Sequence, residues 1–303
     1  MSSTVSTTLR VALCQVRVDA EKRKALANAQ HWVEEAVKQG AKLVVLPECF
    51  NCPYDTRCFP SYAEELSPVS KGDPSADMSA SETASLLQKL ARAHGIYLVG
   101  GSIPERSHSD QRIYNTSLTF GPRGELLARH RKVHLFDVDV PGGIRFRESD
   151  VLSAGESLTS FALKFGDSAT ALRIGVGICY DIRFPEMAAA MTRAPHDADM
   201  LVYPGAFNMT TGPAHWELLI RARALDNQVF VCACSPARDP HASYTAYGHS
   251  MIASPWGDVL ARTDEHESLV IADVDPSRIM HARNAIPVRK QRRPEVYTSQ
   301  PGF

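Results

Sequence analysis

Hydrophobic positions along the chain follow two alternating rhythms. Leu9 to Val16 reads as a strand. Residues 20–38 then place Leu26, Ala29, Trp32, Val33, Ala36 and Val37 on one face of a helix, and Gly40 stops it. Ala41 to Leu46 is continuously apolar, the mark of a strand buried on both faces, and it ends abruptly at Pro47-Glu48. A helix over Glu82 to Ala93 and a buried strand over Ile96 to Gly100 follow. Ile113 to Phe120 and Leu126 to Val133 form a hairpin about Gly121-Pro122-Arg123-Gly124. The sequence of elements then begins again. Leu172 to Ile178 is a strand, Pro185 to Arg193 a helix with proline in its first turn, and Met200 to Tyr203 a strand. Pro213 to Asp226 is a helix and Val229 to Ala233 a strand. A hairpin over Tyr247 to Ala261 and a strand over Leu269 to Val274 close the series.

Strands alternating with helices predict an α/β fold. No flexible linker or charge block divides the chain, so residues 9–303 are expected to form one domain of two similar halves behind a flexible tail over 1–8. Buried strands with helices on one side need apolar cover on the other. Two sheets stacked face to face with helices outside both, a four-layer αββα sandwich, satisfy that need. Residues 51–79, rich in Pro, Ser and Asp, and residues 136–157, with Pro141-Gly142-Gly143, are expected to be long surface loops.

Composition narrows the function. The 33 Lys and Arg against 34 Asp and Glu give a formal charge of −1, so no basic excess exists to displace phosphate counterions, and nucleic acid is not an expected partner. A hydrophobic fraction of 44% excludes disorder of the whole chain, and no run of about 18 apolar residues predicts a membrane span. Seven cysteines are an odd number and few for the length, which fits a reducing compartment. The cytoplasm is expected. The Ser/Thr-rich, acid-free start of the chain makes the mitochondrion the second choice.

Reactive groups of α/β sheets gather where strands meet loops. Glu48 ends a buried strand and is either an ordinary polar terminus or a working carboxylate. Arg129-His130-Arg131-Lys132-Val133-His134 is either a solvated basic edge or a place where Lys132 points inward while its neighbours stay in water. His130 and His134 share one face of that strand, several residues apart, which is weak for a metal. Cys179 follows the glycine-bearing strand Gly175-Val176-Gly177-Ile178 and precedes a helix near Pro185. It is either a core thiol or a nucleophile whose thiolate the helix N-terminus favours. Arg183 in the first turn after Cys179 suits a carboxylate through its guanidinium fork, or pairs with Glu186. Cys49-x-x-Cys52 and Cys232-x-Cys234 lack the usual zinc spacing. A Ser-hydrolase elbow, a P-loop and a zincin motif are all absent.

Glu48, Lys132 and Cys179 in their settings resemble the nitrilase superfamily of carbon–nitrogen hydrolases. The settings are Leu46-Pro47-Glu48, Arg131-Lys132-Val133-His134-Leu135-Phe136, and Gly177-Ile178-Cys179-Tyr180-Asp181-Ile182-Arg183-Phe184-Pro185-Glu186. The similarity runs from about residue 9 to 297. Within the superfamily the chain is most similar to the omega-amidase branch, through Pro47 to Tyr54, Asp137 to Pro141 and Tyr203 to Trp216. Asp55 departs from the glycine of that pattern, and Ala194-Pro195-His196 from its shorter helix exit.

The resemblance implies the αββα sandwich, a homodimer or higher homo-oligomer that packs two outer helices against its partner, and neither metal nor organic cofactor. It implies Cys179 as nucleophile, Glu48 as general base, Lys132 as oxyanion stabiliser (helped by the Tyr180 backbone N–H) and Glu148 as a second glutamate orienting lysine and substrate. Arg183, Tyr54 and Thr211 would grip the far carboxylate of a short dicarboxylic monoamide, with Tyr180 and Phe207 lining the site. The implied reaction is hydrolysis of 2-oxoglutaramate or 2-oxosuccinamate to the 2-oxo acid and ammonia. Alternatives are an amidase of the same superfamily acting on deaminated glutathione or an N-carbamoyl amine, and a non-catalytic thiol- or metal-binding protein.

Overall fold

The computed structural model describes residues 8–66, 73, 77–139, 145–166 and 171–297. Its first half runs β1 (Leu9–Gln15), α1 (Lys22–Lys38), β2 (Leu43–Val45), α2 (Phe59–Tyr62), β3 (Glu64–Glu65), α3 (Glu82–His94), β4 (Tyr97–Val99), β5 (Ile103–Arg106), β6 (Ile113–Phe120) and β7 (Leu126–Arg131). A small hairpin, β8 (Asp137–Asp139) and β9 (Arg145–Arg147), stands between the halves. The second half runs β10 (Thr159–Lys164), β11 (Ala171–Val176), α4 (Pro185–Met191), β12 (Met200–Pro204), α5 (Thr211–Asn227), β13 (Phe230–Cys234), β14 (Met251–Ala253), β15 (Val259–Arg262), β16 (Ser268–Val274) and α6 (Ser277–Ala285).

One sheet has the order β16-β1-β2-β4-β6-β5-β3, with β7 also on β6, and the other the order β10-β11-β12-β13-β14-β15. The period-two alternation of strand side chains then builds the layers. Leu9, Val11 and Leu13 of β1 pack with Val45 and Val99 against Ile174, Val176, Met200, Val202, Phe230 and Cys232 of the other sheet. Ala12 and Cys14 point the opposite way, onto Leu26, Ala29 and Val33 of α1 and Leu87 and Ala91 of α3. The outer face of the second sheet, Leu201, Tyr203, Val231 and Ala233, carries Met187 and Met191 of α4 and Trp216, Ile220 and Ala224 of α5. The layers are therefore α, β, β, α, as the patterning predicts. β16 joins the sheet of the first half by pairing antiparallel with β1, Leu9 against Val274, so the last strand fastens the two halves together.

Local signals set the helix ends. The Ser81 hydroxyl accepts from the Ala84 N–H at 2.9 Å to cap α3, and Gly95 at φ +60° ends it. Gly40 after α1 stands at φ +82°.

Both expected surface loops are corrected. The first contains α2 and β3, and Asn51, Cys52 and Phe59 within it are fully buried. The second contains β8, β9 and a single 3-10 turn over Glu148–Asp150. The tail over 1–7, Pro141-Gly142-Gly143 and residues 298–303 lie outside the described residues.

Candidate active site

Glu48 follows β2 through a backbone held on both sides, with Leu46 N–H donating to Val99 and Ser102 N–H to Pro47. Gly101, at φ +56°, makes that approach possible, because a Cβ there would stand 2.1 Å from the Pro47 carbonyl oxygen. Lys132 extends β7 by one residue, its N–H on the Asn115 carbonyl at 2.8 Å. Cys179 follows β11, where Gly177 leaves room for Tyr203: a Cβ would lie 2.6 Å from that ring. Cys179 itself sits at φ +45°, a left-handed conformation that costs a non-glycine residue about 1–2 kcal/mol.

These three strand ends meet around one buried ammonium. Lys132 Nζ lies 3.0 Å from Glu48 Oε1 and 2.9 Å from Glu148 Oε1, with all three side chains out of solvent. The Asn115 amide donates to the same Glu48 oxygen at 2.9 Å. Glu148 is fixed at both oxygens. Its Oε1 also accepts from the Tyr54 hydroxyl at 2.6 Å, and its Oε2 accepts from the Phe136 N–H at 2.7 Å. Glu48 Oε2, by contrast, is buried with no hydrogen-bond partner. The Cys179 thiol interacts with the Glu48 carboxyl, and the Ala206 N–H approaches the sulfur at 3.4 Å.

The electrostatics follow from one cation among three acidic groups. Burial pushes the Glu48 carboxyl up; Lys132 opposes that shift and the like charge of Glu148 adds to it. Burial alone would lower Lys132, but Glu148 and Glu48 outweigh it and hold the ammonium well above the usual lysine value. Burial, then the charge of Glu48, push the Cys179 thiol well above its ordinary value. Burial and Glu48 thus work against the thiolate that a helix N-terminus was expected to favour. A thiol beside a carboxylate loses its proton only by handing it to that carboxylate, which leaves the net charge of the pocket unchanged.

Two further expectations are corrected. The neighbours of Lys132 do not stay in water: Arg129 and Arg131 bind the buried Glu105 carboxylate, and His130 is buried against Asp181. The Arg183–Glu186 pair does not form. Arg183 Nη1 instead donates to His215 Nδ1 at 3.1 Å, its guanidinium lies 4.5 Å from the centre of the Phe207 ring, and no acidic group among the described residues pairs with it. Tyr180 stands edge-on to Phe136 at 5.2 Å. The Thr211 hydroxyl donates to Asn208 at the start of α5. Cys232 and Cys234 are core residues of β13, and no group of three or more His, Cys, Asp or Glu among the described residues is placed to hold a metal.

A cavity of about 310 Å³ opens on Glu48, walled by Cys49, Cys52, Tyr54, Ala206 and Tyr244. Tyr244 packs at a tilt against Tyr54, with ring centres 4.6 Å apart, and donates to the Ala206 carbonyl at 2.5 Å. Neither Tyr244 nor Asn115 stood out in the sequence. Asn115 lies inside an ordinary strand pattern, and Tyr244 in a stretch of small polar residues with no periodicity.

A family model for carbon–nitrogen hydrolases matches residues 10–284. The chain belongs to the carbon–nitrogen hydrolase family. This carbon–nitrogen hydrolase is 49% identical over 289 residues to omega-amidase NIT2 of Xenopus tropicalis, covering 95% of this chain and 96% of that protein. It is 48% identical over 291 residues to a chloroplastic omega-amidase of Arabidopsis thaliana, covering 96% of this chain and 74% of that one. Among solved structures it superposes on Nit3 of Saccharomyces cerevisiae, a member of branch 10 of the nitrilase superfamily. The TM-score is 0.82 at 43% identity, covering 96% of this chain and 99% of that one. The stacked sheets of this hydrolase are thus those of the nitrilase superfamily, and its chemistry is hydrolysis of a carbon–nitrogen bond.

Proposed function

We propose that the chain is an omega-amidase that hydrolyses the terminal amide of short 2-oxo dicarboxylic monoamides, 2-oxoglutaramate and 2-oxosuccinamate, through a cysteine thioester. The observation that carries this reading is the buried Lys132 ammonium between two carboxylates, one of which, Glu48, keeps an unpaired oxygen and interacts with the Cys179 thiol. Curated omega-amidases about as long as this chain supply the substrate class.

Glu48 takes the thiol proton as Cys179 sulfur forms its bond to the amide carbonyl carbon. The oxyanion is stabilised by Lys132 and the Tyr180 backbone N–H. Glu48 then gives the proton to the nitrogen, the C–N bond breaks, and ammonia leaves a thioester. In the second half Glu48 removes a proton from water, hydroxide adds to the thioester, and the C–S bond breaks to release the acid and restore the thiol. Such a base contributes roughly 10²–10⁴-fold and one oxyanion donor about 10²–10³-fold. Glu148 and Tyr54 hold Lys132 from the far side. Arg183, a cation with no acidic partner among the described residues, meets the distal carboxylate with Thr211, and Phe207 lies under its guanidinium.

We read residues 9–303 as one hydrolase domain acting in the cytoplasm as a homodimer or larger assembly. Large apolar side chains exposed on and near the outer helix α5 support the assembly, with Leu218 at 66% and Leu225 at 53% exposure. None of the seven cysteines is in a disulfide, which suits a reducing compartment.

The test is ammonia release from a panel of 2-oxoglutaramate, 2-oxosuccinamate, deaminated glutathione and an N-carbamoyl amine, with Cys179→Ala beside the wild type. Preference for the two short 2-oxo amides and loss of turnover in the variant are expected. Preference for a larger or carbamoyl amide removes the omega-amidase reading, and full activity of Cys179→Ala removes the thioester.

A further inference from the structure

The paired histidines around Lys132 are not used by the chemistry above, yet both end on one carboxylate. Asp181 lies two residues beyond Cys179 and is fully buried. Its Oδ2 accepts from the Ile178 N–H at 2.8 Å and from His130 Nε2 at 3.3 Å. Its Oδ1 accepts from the His134 N–H at 2.9 Å and from His134 Nδ1 at 2.8 Å. An ionised carboxylate only accepts, so the proton of His130 is on Nε2 and that of His134 on Nδ1. His130 Nδ1 is then free to accept from the Thr159 hydroxyl, 3.1 Å away on β10 of the other sheet. His134 is stacked flat on Phe184, with ring centres 3.6 Å apart, just after the turn that carries the nucleophile.

The placement of these bonds gives them meaning. One ends on the residue immediately before Cys179. The others end on residues two before and two after Lys132. We propose that Asp181 is a positioning residue which, through His130 and His134, fixes where the Cys179 sulfur stands relative to the Lys132 ammonium. The two groups belong to different sheets, β11 and β7, and the carboxylate joins them at the level where both reach the pocket. It also clamps the turn itself, because Asp181 N–H donates back to the Ile178 carbonyl at 3.0 Å, closing a short loop around the left-handed Cys179. An oxyanion donor works only where the oxyanion forms, so a displacement of about 1 Å between sulfur and ammonium costs on the order of 100-fold in rate.

Asp181→Asn tests this. The amide keeps the size but has one accepting oxygen, and its NH2 group must face a donor at the other position. The expected result is a folded protein whose kcat falls on the order of 100-fold with KM changed less than about threefold, since substrate contacts remain. The inference rests on Cys179 being the nucleophile. Alkylation of Cys179 by iodoacetamide, followed by mass spectrometry, is therefore measured alongside, because it needs no amide substrate. A changed alkylation rate with reduced kcat supports the positioning role, whereas wild-type kcat and alkylation in a folded Asp181→Asn overturn it. Activity surviving in Cys179→Ala strikes the nucleophile instead.

If Asp181→Asn does not fold, His130 decides. Gln places a donor near the ring Nε2 and is expected to keep kcat within about threefold, while Leu provides none and is expected to lose about tenfold. Equal kcat for His130→Gln and His130→Leu overturns the proposal.

Discussion

Two buried glutamates, Glu48 and Glu105, sit on opposite faces of the same strand end and are treated in opposite ways. Residues alternate along β7 and just beyond it, so Arg129 and Arg131 point to one side while His130 and Lys132 point to the other. Glu105 is fully buried, but both of its oxygens are occupied by Arg129, Arg131 and the Thr116 hydroxyl. Burial pushes its carboxyl up, and the two guanidinium groups outweigh that and leave it below its ordinary value. Glu48 is equally buried and has one cation, shared with Glu148, and one empty oxygen. Its carboxyl is left above its ordinary value. A saturated carboxylate has no capacity left for a proton in flight. A carboxylate whose pairing is deliberately incomplete does, and the difference lies in partner count rather than depth.

The sharpest way to break this contrast is to neutralise each acid in turn. Glu48→Gln is expected to lower kcat for amide hydrolysis roughly 10²–10⁴-fold, with little change in stability because Lys132 keeps Glu148. Glu105→Gln is expected to leave kcat per folded molecule unchanged. It should destabilise by about 2 kcal/mol in urea unfolding, below the roughly 3–5 kcal/mol of a fully buried pair. The discount reflects side-chain exposures of 26% and 29% at Arg129 and Arg131, whose charges water partly screens. Equal losses of kcat in the two variants would erase the distinction.

The cations should differ in the same sense. Lys132→Met removes the ammonium that acts on the sulfur and is expected to cut kcat about 10²–10³-fold. Arg131→Met leaves Glu105 with Arg129 and is expected to cost about 1.5 kcal/mol of stability and no turnover. Ammonia release and urea midpoints measured on both variants check this. A larger kcat loss from Arg131→Met than from Lys132→Met would reverse the assignment of the two faces.

The reach of the sequence follows the same division. The layers were legible because α1, α3 and the continuous apolar strands β2 and β4 bury themselves by local rules of period and punctuation. Glu48, Lys132 and Cys179 were legible as reactive side chains at strand ends, each with an ordinary structural reading beside it, and the resemblance of their settings to the nitrilase superfamily singled them out. β5 was not, since Pro104 and Glu105 break an apolar run and only the arginines of β7, distant in sequence, make a buried glutamate tolerable there. β10 was missed because its alternating Phe161 and Leu163 lie in a short segment that opens on Thr159 and Ser160 and ends on Lys164. The Asp181 network was invisible for the same reason as Glu105: neither partner signals the other until the strands are assembled.

The smallest expected effect is also the most specific, because it concerns the position of a pH limb rather than its height. Glu48 acts as base only when unprotonated, so kcat/KM falls as pH drops through its carboxyl value, which burial has raised above the ordinary 4.5. Lys132 opposes that rise and Glu148 contributes to it. Glu148→Gln removes a like charge and leaves the ammonium to Glu48 alone. Both changes favour the ionised base, so the acid limb is expected to move to lower pH. The height of the variant's plateau does not enter the reading of the limb. Glu105→Gln, on the opposite face, should leave the limb where it was. A limb that stays put or moves to higher pH in Glu148→Gln would mean that Glu48 does not carry the titrating proton, and the contrast between the two buried glutamates would lose its chemical basis.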